Sequence, residues 1–70
     1  MNSNLLKSQM ALHGKNQNDL AAACGITKGT LSKKLNGKRE FTQGEICKIA
    51  LLLKLSRELI ISIFFAEAVA

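Results

Sequence analysis

The chain has 70 residues and carries ten Lys and Arg against five Asp and Glu, a formal charge of +5, with 47% hydrophobic residues and no Pro, Trp or Tyr. That length sets a single domain, residues 1–70, whose core is small, because a chain of this size buries only ~60% of its unfolded surface. Two cysteines and one histidine give neither a disulfide framework nor a metal site, and the longest near-continuous apolar run, residues 59–66, falls far short of the ~20 residues of a membrane span. With no apolar leader after a basic start, the sequence is expected to be a soluble, cytoplasmic protein with no membrane partner.

The hydrophobic periodicity is helical throughout, which predicts an all-α bundle of five helices over about 3–13, 17–24, 28–36, 43–53 and 57–65. Asn2 or Ser3 can cap the first. Leu5, Leu6, Gln9, Leu12 and His13 share one side of it, with Met10 at the edge, and Gly14 ends it. His13 lies beside that glycine without carboxylate or cysteine companions in its segment, so it reads as a helix-end residue rather than a ligand or an acid–base group. Asn16 with Asp19 makes a capping box for the second helix, which Gly25 stops by taking a left-handed conformation at no steric cost. Cys24 sits where a small core residue is expected, and Ile26 is a wedge between two helices.

Thr27 can cap the third helix, closed by Gly37. Leu31 and Leu35 define its buried side, so Gly29, Lys33 and Asn36 point outward while Lys28, Thr30, Ser32 and Lys34 lie on the flanks. Phe41 is expected to anchor the following loop. Thr42 with Glu45 is a second capping box, and Ile46, Ile49, Ala50 and Leu53 form one apolar face of the fourth helix. Ser56 can cap the fifth. There Leu59, Ile60, Ile61, Ile63, Phe64 and Phe65 are too many apolar groups for one stripe, so they either wrap over helices one and four or form a self-association surface. The tail, residues 66–70, is expected to fray.

Lys28, Lys33, Lys34, Lys38 and Arg39 all fall within residues 28–39 with no acid among them, so this window carries a charge equal to the whole net charge. Such a cluster is either a solvated lysine-rich face or the footprint of a polyanion binder. The sequence has no nucleophile–base pair, no phosphate-cradling glycine loop and no paired carboxylates on one helix face, so neither an enzyme, a cofactor nor a small-molecule substrate is expected.

Gln17, Ala21, Gly25, Ile26, Thr27, Leu31, Leu35, Asn36 and Gly37, continued by Phe41, Thr42, Glu45 and Ile49, make the sequence resemble the XRE or phage-repressor family of helix-turn-helix proteins over nearly its whole length. The resemblance implies the five-helix phage-repressor DNA-binding fold, double-stranded DNA as partner and a bacterial host cell. It points to the small regulators of temperate-phage lysis–lysogeny switches, either a Cro-like repressor or a modulator-of-repression antirepressor that binds a phage repressor protein and blocks it. By family position, Lys28, Gly29, Thr30 and Lys33, with Ser32 beside them, are candidates to read bases. Gln17 and Asn36 match phosphate-contact positions, and Lys34, Lys38 and Arg39 join them by charge and proximity. Relatives dimerise through the terminal region, which makes Leu59, Ile60, Ile63, Phe64 and Phe65 candidates for a homodimer or partner interface. Two departures stand out. Lys15 occupies a position that is commonly apolar in the family, which weakens the hydrophobic staple. The reading positions hold Gly29 and Thr30 beside two lysines, so the hydrogen-bond code is thin.

Overall fold

The computed structural model describes residues 1–65; the tail expected to fray lies outside them. Five helices follow one another: α1 (Ser3–Leu12), α2 (Gln17–Cys24), α3 (Lys28–Leu35), α4 (Gln43–Leu52) and α5 (Arg57–Phe64). Each begins at a polar residue whose side chain accepts a backbone N–H in the first turn: Asn2, Asn16, Thr27, Thr42 and Ser56. Both capping boxes form. Asn16 N donates to Asp19 Oδ2 at 2.9 Å, and Thr42 N to Glu45 Oε1 at 2.9 Å. For the first helix the cap is Asn2, whose Oδ1 accepts Leu5 N at 3.0 Å.

The helix ends share a geometry. Beyond α2, Ile26 N reaches back to Ala21 O (3.0 Å) and Gly25 N to Ala22 O (3.2 Å), the double bond of a Schellman turn. Lys15 and Gly14 repeat it on Met10 and Ala11, and Lys38 and Gly37 on Lys33 and Lys34. The pivots Gly25 and Gly37 have φ of 70° and 78°. After α4 the same turn is made by Leu55 and Lys54, so Lys54 takes φ 51°, where an L-residue is strained by ~1–2 kcal/mol relative to its usual conformations.

The core is Leu6, Met10, Leu20, Ala21, Cys24, Leu31, Leu35, Ile49, Leu53 and Ile63, with Leu5, Ile26, Phe41, Leu52, Leu55 and Phe64 packed against it. Helix α2 is central and packs on α3 and α4, while α5 packs on α1 and α4. Asn2 N donates to Ile63 O at 2.7 Å, tying the start of the chain to α5.

The first helix departs from the expected stripe. Its buried line runs through Leu6 and Met10, while Leu12 is 74% exposed and His13 is exposed. Leu12 stands two residues beyond Met10, ~200° around the helix, so turning Leu6 and Met10 into the core leaves it on the outside. On α5, Ile63 is fully buried and belongs to the core rather than to an interface. Leu59, Ile60 and Phe64 are half-buried, and Phe65 is 43% exposed.

Candidate nucleic-acid interface

Helix α3 turns its buried side, Leu31 and Leu35, onto α2 and the core. This leaves Lys28, Gly29, Lys33 and Asn36 in solvent, with Thr30 and Ser32 half-buried at the edges. Thr27 Oγ1 accepts Thr30 N at 3.1 Å and donates its own hydrogen to Thr30 Oγ1 at 3.0 Å, which fixes the two threonines at the helix start. No acid stands in the first turn of α3. The positive end of its dipole and its leading amides are therefore not neutralised by a side chain, and they add to Lys28 in favouring a phosphate there. Gln17 lies half-buried at the first residue of α2, and Lys38 and Arg39 stand exposed on the loop that follows α3.

Gly29 has nothing within 4 Å of where a Cβ would stand. No packing inside the protein requires a glycine there, and its effect is a bare patch of backbone on the outer face of α3.

Lys34 does not join this face. Its side chain is only 5% exposed and its ammonium donates to Glu45 Oε1 on α4, with Nζ 5.9 Å from the centroid of the Phe41 ring. A charge committed to a carboxylate behind the helix is not offered to a phosphate, so Lys34 leaves the set of backbone contacts. The solvated cations of the window are four: Lys28, Lys33, Lys38 and Arg39. Sequence reasoning placed Lys34 on the flank of the helix and Glu45 in a capping box, but did not pair them. The available signal was the i, i+3 spacing of Lys34 from Leu31, which puts a lysine at the rim of the buried side.

Glu45 carries two duties on one oxygen, since Oε1 accepts both Lys34 Nζ and Thr42 N. Burial pushes its carboxyl pKa up, but the bonds from Lys34 and Thr42 and the charge of Lys34 more than offset this and hold it below the ordinary 4.5. Cys24 beneath it has a thiol pKa raised by burial and then by the Glu45 charge. Its Sγ donates to the Glu45 carbonyl at 3.9 Å, in keeping with a protonated core residue. Among the described residues no group of His, Cys, Asp and Glu could hold a metal ion, and no helix is long and apolar enough to cross a membrane.

Two short helices, α2 and α3, joined through a left-handed glycine, with the second presenting a basic and uncovered face, define a helix-turn-helix nucleic-acid-binding domain. Comparison with known families agrees: the helix-turn-helix model of the XRE type matches residues 6–60, and the chain belongs to that family. It is accordingly a DNA-binding regulator of double-stranded DNA, not an enzyme. The matched region takes in α2, α3, the basic loop and α4, and ends within α5. Neither the curated proteins nor the solved structures give a significant match.

Proposed function

We propose that the protein regulates transcription in a temperate-phage lysis–lysogeny switch, in the cytoplasm of the bacterial host, and that it binds its operator as a homodimer. Helix α3 would enter the major groove by its N-terminal end. Lys28, Gly29, Thr30, Ser32 and Lys33 would face base edges, and Gln17, Asn36, Lys38 and Arg39 would hold the phosphates. The observation that carries this reading is the run of four solvated cations on the outer side of α3 and its following loop, backed by an α3 N-terminus without an acid.

The chemistry sets the balance between affinity and specificity. Lysine can reach guanine acceptors and a threonine methyl touches thymine, but the base-facing set holds no arginine, glutamine or asparagine, so the hydrogen-bond code is thin. Phosphate contacts therefore dominate, and discrimination is recovered by reading two half-sites together. The dimer reading is supported by α5, where Ile61 and Phe65 are 39% and 43% exposed beside half-buried Leu59, Ile60 and Phe64.

Selection of bound DNA from a random duplex library at ~150 mM salt, where non-specific binding is suppressed, tests the proposal. Enrichment of a palindrome with half-sites about one helical turn apart is the expected result. Binding without enrichment that fades as salt rises would overturn operator reading. It would favour instead an antirepressor that lays the same face, open at Gly29, or the apolar α5 against a phage repressor.

A further inference from the structure

Helices α3 and α4 each pack on α2, and the bond that joins them directly is the buried one from Lys34 to Glu45. The loop between them carries Lys38 and Arg39, two of the four solvated cations. Its first foot is the turn at the end of α3, where Gly37 N and Lys38 N bond to the carbonyls of Lys34 and Lys33 at 3.2 and 2.9 Å. Its second foot is Thr42, whose N–H bonds to Glu45 Oε1. The same oxygen receives the Lys34 ammonium, so one atom ties both feet of the loop together. Phe41, in the loop, lies under that ammonium and meets Phe64 of α5 edge-on, with ring centroids 5.6 Å apart.

We infer that Lys34 and Glu45 are positioning residues for the DNA-facing loop, holding Lys38 and Arg39 in place from behind without touching DNA themselves. This rests on the DNA-binding reading given above. A buried charge pair adds little net stability compared with apolar replacements. What it supplies is a fixed geometry, because ammonium, carboxylate and amide must all meet at one point. Loops that bear cations on a tether gain little from each phosphate contact unless the tether is already ordered, since ordering at the moment of binding opposes the gain. A clip at both feet meets that need.

The test is the double variant Lys34→Met/Glu45→Gln. It removes the ion pair at constant net charge and keeps an unbranched apolar stem, while glutamine still serves a capping box. With a short mixed-sequence duplex as probe, adding Lys38→Ala and Arg39→Ala to the natural sequence should lower the salt slope of binding by about 1.8, two contacts of ~0.9 each. In the double-variant background the same two substitutions should lower it by less than half as much. A drop of about 1.8 in both backgrounds would overturn the inference.

The second readout needs no DNA. Amide heteronuclear NOE values at residues 38–40 should fall in the double variant while those inside α2 and α4 hold, and unchanged loop values would also overturn it. If the natural protein binds no duplex even at low salt, the DNA-binding reading fails, and the NOE comparison still decides whether the pair orders the loop. Should the double variant not fold, Lys34→Leu/Glu45→Gln, which again removes both charges together, is carried through the same two measurements, and Lys34→Arg, which keeps the charge, should leave both near the natural values.

Discussion

Replacing Lys34 by methionine isolates the ammonium, because an unbranched apolar stem is kept at this buried position. The loss is a charge-assisted hydrogen bond between groups that are 5% and 11% exposed. Such bonds contribute about 1.5–3 kcal/mol, and leaving a charge buried without its partner can cost 3–5. Glu45 is not fully stripped, since Oε1 keeps Thr42 N at 2.9 Å, so the expected destabilisation is about 2–3 kcal/mol. A 70-residue domain has roughly 4–10 kcal/mol of stability in total, so this single change takes a large share. With a urea m-value of about 1 kcal/mol/M, the midpoint should fall by about 2–3 M. Adding Glu45→Gln should recover at least half of that, because the carboxylate left without its cation is then gone. A midpoint within ~0.5 M of the natural protein for Lys34→Met alone would refute the reasoning. It would mean that the Lys34 charge is solvated and free to meet a phosphate.

The depressed Glu45 pKa fixes the direction of the acid response. Its contribution is fully present above the unfolded value of 4.5 and is lost as pH falls through the lower folded value. Urea midpoints followed downward from about pH 6 should therefore drop below pH 4.5, and Lys34→Met should flatten that drop; equal slopes would separate Lys34 from the effect. Gly29→Ala should stabilise the free protein by a few tenths to ~1 kcal/mol, because the site is open and alanine favours helix, yet weaken duplex binding where the backbone must come close. Tighter binding would show that the bare backbone of α3 is not a contact. Lys33→Ala should relax selectivity at one base position by ~1–3 kcal/mol, and a loss shared equally by all sequences would make Lys33 a phosphate contact. Phe65→Asp should shift a dimer towards monomer in sedimentation, and a natural protein that is already monomeric at the same concentration would dispose of the α5 interface.

The helices themselves were legible because their signals are local. A polar cap with an acid three residues on, as at Asn16 and Asp19 or Thr42 and Glu45, acts within one turn of chain. A glycine just past the last turn of an apolar-periodic segment marks a helix C-terminal turn, as at Gly25 and Gly37. The spacing of Leu31 and Leu35 likewise fixed which way α3 faces, and the outward Gly29, Lys33 and Asn36 followed from it, with Lys28 placed on the flank.

What went unseen depends on which elements meet. Periodicity gives a direction on a helix but not what lies in that direction or how far the neighbour extends. Leu12 shares a side with Leu5 in sequence, but it lies ~200° around α1 from the buried Met10 and is 74% exposed. Ile63 is one of a run of apolar residues on α5, and only the packing of α5 on α1 and α4 selects it for the core. Lys54 gave no turn signal, because lysine is not a residue that favours the left-handed conformation it takes at φ 51°.

Lys34 and Glu45 are eleven residues apart and meet only because α2 sets α3 and α4 side by side. The sequence by itself determined the helices, their caps and the outward basic face of α3, each governed by interactions within about one turn. Only the tertiary structure decided which of those charges remain in solvent, because burial and pairing are properties of neighbours that lie far along the chain.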